Sequence, residues 1–275
     1  MIQFKIGTAG FPHSTIPRNV LQSLHEVKKL GLQAMELEFV HGVWLNEESA
    51  KKIFEENKKT NIALSAHAPY YVNLNAKEKY KIDNTKKFIT DSLKMASIAG
   101  ARNVVVHPGF YLKDSKEETL RHIEMHLKEL VEELNSLDLK ASIALETMGR
   151  TAQFGSLEEC LILSKECKVN VCFDFSHLFA RSIGKANSKE AFNEMIDLIN
   201  HYNKKLLKDM HIHLSGMNYG DKGEKNHLPL KESPLNFKAL IQVLIERKCA
   251  GIIICESPNL ETDALLIQKT FMKIA

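Results

Sequence analysis

Runs rich in apolar and β-branched residues alternate with stretches of helical period along the chain. Phe4–Gly7 reads as a strand, and Ile16–Leu30 as a helix with Pro17 in its first turn and Gly31 as its stop. Seven further strands are expected over Ala34–Val40, Ile62–His67, Asn103–His107, Ala141–Glu146, Val169–Asp174, Met210–His213 and Gly251–Glu256. Helices follow them over Glu47–Lys59, Ala76–Ala99, Ser115–Leu137, Ser156–Cys167, Ser188–Tyr202, Asn236–Lys248 and Leu260–Ile274. Ser115 with Glu118, and Ser156 with Glu159, stand at capping-box spacing. Strands such as Val104–Val106 and Ile252–Ile254 are unbroken apolar runs, which suits a sheet covered on both faces. Eight strand–helix pairs with no break in composition predict an α/β fold, a (β/α)8 TIM barrel spanning 1–275 as a single domain. The alternative is an open doubly wound sheet. The polar stretch Leu214–Leu235 reads as one long irregular loop, and such loops are usually functional.

The strand ends carry the candidate chemistry. Strands three to eight end in His67, His107, Glu146, Asp174, His213 and Glu256. In a barrel these ends lie on one face and point toward one axis, where active sites are built. Alone, each is more simply a packing or ion-pairing residue; together they predict a metal site. Imidazoles and carboxylates without a thiolate suit Zn²⁺, Mn²⁺ or Fe²⁺ better than Mg²⁺ or Ca²⁺. Six ligands are too many for one ion, and His177 and His227 are further candidates. Two or three ions are therefore expected, with Glu146 placed to bridge a pair, an arrangement suited to in-line phosphoryl chemistry. His211, two residues before His213, is a secondary candidate one layer deeper. Glu36 and Glu38 are read as structural.

Composition narrows the class. With 44% hydrophobic and 26% charged residues in 275, the chain is globular. It has no apolar run near the roughly 20 residues of a membrane span. The opening residues Met1–Gly7 have no signal-peptide layout, so the cytoplasm is the expectation. The five cysteines include no CxxC pair and read as reduced core residues. A net charge of +3 leaves nucleic-acid binding to a local basic face rather than a global field.

At Ser65–Leu74 (SAHAPYYVNL), His107–Gly109, Leu145–Thr147, Cys172–His177 (CFDFSH), His213–Leu214 and Cys255–Pro258 (CESP), the chain resembles the endonuclease IV family of apurinic/apyrimidinic endonucleases. These segments follow family order across nearly the whole chain. The resemblance implies a (β/α)8 barrel with three zinc ions. One would be held by His67, His107 and Glu146, and a second by Glu146, Asp174, His213 and Glu256. The third would involve His177 and His227. It also implies hydrolysis of the phosphodiester 5′ to an abasic site in duplex DNA, with Glu146 as the bridging catalytic ligand and Tyr70 against the abasic nucleotide. A monomer is the family-like expectation.

Three departures bear on that reading. Lys225 stands where the family's loop Asp would fall, so Glu224 is the candidate substitute or the third ion has two protein ligands. Gly7–Pro12 lacks the family's His-Val-Ser. Phe39–Trp44 lacks the Asn-x-Arg run, leaving Trp44 as either a stacking wedge or packing. Arg150, Arg181, Lys185, Lys222, Lys225 and Lys231 near the mouth are either phosphate contacts or solvated surface. Of these, Arg181, Lys222 and Lys225 join Tyr70 and Trp44 as the DNA-contact candidates. The rival is a sugar isomerase or epimerase of the xylose-isomerase-like barrels. It would hold one divalent ion with Glu146, Asp174, His213 and Glu256 and would have no use for the other histidines. A barrel that only binds DNA or a partner is a third reading, which the intact strand-end ligands oppose.

Overall fold

Residues along each barrel strand alternate between two environments, and that alternation builds the site. The structure, a computed structural model, describes residues 3–274. Positions 1, 2 and 275 of the expected 1–275 domain lie outside the described residues. The strands are β1 (Phe4–Ala9), β2 (Ala34–Glu38), β3 (Ala63–His67), β4 (Asn103–Val106), β5 (Ser142–Glu146), β6 (Asn170–Asp174), β7 (Met210–Leu214) and β8 (Gly251–Cys255). They close into a barrel in chain order, β1 to β8, each parallel to its neighbours. The helices are α1 (Val20–Lys29), α2 (Glu47–Thr60), α3 (Lys79–Ala99), α4 (Lys116–Asn135), α5 (Leu157–Cys167), α6 (Phe175–Arg181), α7 (Lys189–Asn203), α8 (Phe237–Glu246) and α9 (Glu261–Ile274). The (β/α)8 fold read from the sequence is the fold observed.

One parity of strand residues joins the main apolar core beneath the helices: Leu64 and Ala66, Val104 and Val106, Val171 and Phe173, Ile253 and Cys255. Each fully buried Leu, Val or Ile there contributes on the order of 1.5–3 kcal/mol. The other parity faces the barrel interior. There Ala34 packs with Ile252 and Ile254, and Val105 with Ala144 and Cys172. The same parity carries Glu36, Ser65, His67, Glu146, Asp174, His211 and His213, all buried. The interior is therefore apolar at its base and polar toward the C-terminal ends.

Local chemistry sets the boundaries, and several differ from expectation. α1 starts at Val20, not Ile16, because the Asn19 side chain caps it by accepting from Gln22 N at 3.0 Å. Both expected capping boxes form, at Ser115/Glu118 and Ser156/Glu159. β4 and β8 end one residue before His107 and Glu256. The stretch expected to be an irregular loop contains a β-hairpin, Gly216–Gly220 paired with Gly223–Leu228. α6, unforeseen in the sequence, begins at once after β6 with Asp174 as its cap. The five cysteines are free and buried. No helix among the described residues is long and apolar enough to cross a membrane.

Candidate metal centre

Glu146, at the end of β5, sits at the centre of the mouth and faces different partners with its two oxygens. Its Oε2 lies 3.3 Å from His67 Nε2 and 2.8 Å from His107 Nε2. Its Oε1 lies 3.3 Å from both His213 Nδ1 and His177 Nδ1. Glu256 Oε1 is 3.1 Å from His213 Nδ1. Three groups of donors result: His67, His107 and Glu146; Glu146, Asp174, His213 and Glu256; and His177, Glu224 and His227. Within each, the ligand atoms lie no more than 4.8 Å apart.

Backbone carbonyls settle which nitrogen of three imidazoles faces the centre. His67 Nδ1 lies 2.7 Å from Ala68 O, His177 Nδ1 3.0 Å from Thr147 O, and His227 Nδ1 3.0 Å from Glu256 O. A carbonyl only accepts, so each Nδ1 carries the hydrogen and each neutral ring turns a bare Nε2 toward the carboxylates. Asp174 explains the Asp-x-x-His spacing. Its Oδ1 accepts from His177 N at 2.7 Å as the α6 cap, which fixes the His177 ring one turn on. Its other oxygen, Oδ2, is buried without a hydrogen-bond partner. Lone pairs converging on carboxylates, with one buried oxygen unsatisfied, fit cations of the kind that imidazole–carboxylate sets bind.

The electrostatics agree. Burial works against a charge on Glu146, but His107, His177 and His213 outweigh it and hold the carboxyl well below its usual range. Burial also opposes ionisation of Glu256, yet His213 holds it down at about 2. Asp174 is pushed up to about 7 by burial, which His177 offsets only in part. His67 is raised to about 10, because the Glu146 hydrogen bond and charge overcome burial.

The third group depends on an irregularity in the hairpin. Its register runs Met217–His227 and Asn218–Asn226, then shifts to Tyr219–Glu224, leaving Lys225 as an extra, exposed residue. Glu224 and His227 are three apart and would face opposite sides of a regular strand. One bulged residue returns them to the same side. Glu224 N donates to Gly149 O at 3.1 Å, and Thr151 N to Lys222 O at 3.1 Å, clamping the hairpin to the loop after β5. A Cβ on Gly149 would lie 2.7 Å from Glu224 Cβ and 3.0 Å from His177 Cδ2. Gly149→Ala is therefore expected to displace Glu224 and remove one bound ion per molecule while the fold persists. An unchanged ion count by elemental analysis would take Glu224 out of the ligand set.

A cavity of about 330 Å³ opens over these groups, lined also by Tyr70, Phe110, Met148, Arg150 and Gln153. Tyr70 is 52% exposed. Its ring is stacked 5.8 Å from that of His107. Trp44 is half exposed, its Nε1 donating to Glu38 O at 2.9 Å, with its edges against Phe11 and Phe39. It lines a separate cavity of about 470 Å³ with Phe11, Arg18 and Glu38, not the one over the ligands. Lys222 and Lys225 are exposed on the hairpin. Arg181 departs from expectation: it donates to Arg150 O at 2.7 Å, Gln153 O at 2.9 Å and Tyr111 Oη at 3.0 Å. Its guanidinium braces these loops instead of facing a phosphate. Glu36, read as structural, lies against His211 and His213. The signal was its parity, which it shares with the ligands.

A family model described as xylose isomerase-like TIM barrel matches residues 24–272. The uncharacterized protein MJ0133 of Methanocaldococcus jannaschii is 42% identical over 274 residues, covering 99% of this chain and 98% of its own. The probable endonuclease 4 of Mycoplasma genitalium is 26% identical over 204 residues, 71% of this chain and 67% of its own. Among solved structures, endonuclease IV from Thermus thermophilus superposes with a TM-score of 0.74 at 18% identity, covering 97% of this chain and 98% of that one. A D-tagatose 3-epimerase-like protein gives 0.71 at 21%, covering 93% and 94%. At these identities the two structures share the fold.

Proposed function

We propose that this chain, which belongs to the xylose isomerase-like TIM barrel family, is a metal-dependent endonuclease that hydrolyses the phosphodiester 5′ to abasic sites in duplex DNA. The observation that carries the reading is the third donor group, His177, Glu224 and His227, gathered beside two groups that share Glu146. A one-ion sugar epimerase would use Glu146, Asp174, His213 and Glu256 and leave the other two groups without purpose.

On this reading His67, His107 and Glu146 hold one ion, Glu146, Asp174, His213 and Glu256 a second, and His177, Glu224 and His227 a third. Zn²⁺ suits the donor set, with Mn²⁺ or Fe²⁺ as substitutes. When bound, the ions supply Lewis acidity for in-line displacement at phosphorus. The chain's own residues do the rest. Tyr70 lies against the abasic nucleotide on the floor formed by His107. Arg150, which lines the cavity, and the exposed Lys222 and Lys225 hold flanking phosphates without reading sequence. The protein acts as a cytoplasmic monomer.

The test is a nicking assay with zinc-loaded protein on duplexes carrying one abasic site. The expected product is a single nick 5′ to the site with a 3′ hydroxyl. Protein inert on such duplexes yet able to epimerise a ketose would overturn the proposal in favour of the sugar enzyme.

A further inference from the structure

His213 is oriented differently from His67, His177 and His227. Its Nδ1 faces the mouth, 3.3 Å from Glu146 Oε1 and 3.1 Å from Glu256 Oε1. Its Nε2 points down the barrel and has no carbonyl to fix it. It lies 2.9 Å from Glu36 Oε1, a carboxylate wholly buried on β2, across the barrel from β7.

Glu36 is itself held. Its Oε2 accepts from Ser65 Oγ at 2.6 Å and lies 3.2 Å from His211 Nε2. Asn103 Nδ2 lies 3.3 Å from His211 Nδ1, and Asn103 Oδ1 accepts from Asn170 Nδ2 at 2.8 Å. The donor directions are thereby fixed in sequence. Asn103 has its oxygen engaged, so its amide N–H meets His211 Nδ1, and the His211 hydrogen sits on Nε2, toward Glu36. Ser65 and His211 occupy Oε2, leaving Oε1 for His213.

We propose that Glu36 is a positioning residue: it keeps the His213 hydrogen on Nε2, so that Nδ1 is the nitrogen presented to an ion at the mouth. Ligating histidines commonly give their second nitrogen to a carboxylate in this way. Here the carboxylate reaches across the barrel, and a buried chain from Asn170 through Asn103 and His211 supports it. His213 Nε2, His211 Nε2 and Glu36 Oε1 are close in the structure but not aligned as hydrogen bonds. Alignment is expected to accompany ion binding, when Nδ1 gives up its own hydrogen.

The proposal rests on the metal reading of the site, and its test needs no DNA. Glu36→Gln keeps the shape but replaces one accepting oxygen with a donating amide, so His211 and His213 cannot both be served. Zinc affinity of the group containing His213 is expected to fall about 10–100-fold, with Glu36→Asp recovering part of the loss. In ¹⁵N-histidine-labelled, zinc-loaded protein, the His213 signal, assigned with His213→Gln, should show hydrogen on Nε2 in the wild type and lose that pattern in Glu36→Gln. Circular dichroism melting identifies any variant that fails to fold, in which case Ser65→Ala, which loosens Glu36 without removing it, takes its place with a smaller loss of affinity. Unchanged affinity and ring-nitrogen pattern in folded Glu36→Gln would overturn the proposal. So would a thiolate-to-metal absorption band in cobalt-loaded protein that Cys172→Ser removes. Cys172 lies beside His211 and His213, and that band would make the inner histidine nitrogens ligands of a deeper ion. Failure of the nicking assay alone would leave the affinity and nitrogen readouts standing.

Discussion

Glu146→Gln is expected to lower nicking of abasic duplexes by about 10³-fold or more while leaving the barrel folded. Two of the three donor groups share this carboxylate, one through each oxygen: Oε2 toward His67 and His107, Oε1 toward His213 and His177. Glutamine supplies one accepting oxygen and sets amide hydrogens where the other faces an ion. Losing hold of two ions forfeits several kcal/mol of transition-state stabilisation, and each 1.36 kcal/mol is about tenfold in rate. The group of His177, Glu224 and His227 does not contain Glu146, so elemental analysis should find about one ion remaining. Single-turnover kinetics beside the ion count tests both halves of the expectation. Wild-type turnover with a full complement of ions would mean that Glu146 is not shared.

The ring of strand-end donors was legible in the sequence because parallel strands give a simple rule. Residues of one parity at the C-terminal ends converge on one axis, so His67, Glu146, Asp174 and His213 could be grouped without knowing any contact. The same rule applied one step deeper would have grouped Glu36 and His211 with them. Glu36 was set aside because a lone carboxylate inside a strand has no local partner in sequence; Ser65, His211 and His213 reach it from distant segments.

What stayed hidden depends on backbone irregularity and on competition for donors. Lys225 in place of an acidic residue suggested a depleted third site, but a one-residue bulge swings Glu224 onto the His227 side, and a bulge leaves little trace in composition. Arg181 is in a suitable place for a phosphate contact by position along the chain. Nearby backbone carbonyls claim its hydrogens instead, and those come from a loop thirty residues away in sequence. The Asp174–His177 spacing was noticed as metal-ligand spacing. It is equally a helix cap, and the cap gives the spacing its geometry.

Stripped of ions, the protein is expected to lose stability as pH rises from about 4 to 8, and zinc is expected to reverse the trend. Burial raises the Asp174 carboxyl from 3.8 to about 7, and burial followed by the Glu36 charge raises Glu38 from 4.5 to about 8. A carboxyl whose folded value is raised binds its proton more tightly in the native state. Its favourable contribution is full below the unfolded value and is lost as pH climbs to the folded value. His67, raised to about 10, adds to the loss above its ordinary 6.5. Glu256, held at about 2, acts only on the acid side of this window. Buried His211, whose value is lowered by burial, opposes the trend below 6.5. Asp174 alone spans about three units at 1.36 kcal/mol each, so a net loss on the order of 2–4 kcal/mol is expected. That corresponds to several degrees in melting temperature for a chain of this size. A cation takes the place of the proton on Asp174 without needing acid, so the gain in melting temperature on adding zinc should be larger at pH 8 than at pH 5. Melting curves of chelated and zinc-loaded protein across that range test this directly. An equal gain at both pH values would remove Asp174 from the ligands, and with it the second ion.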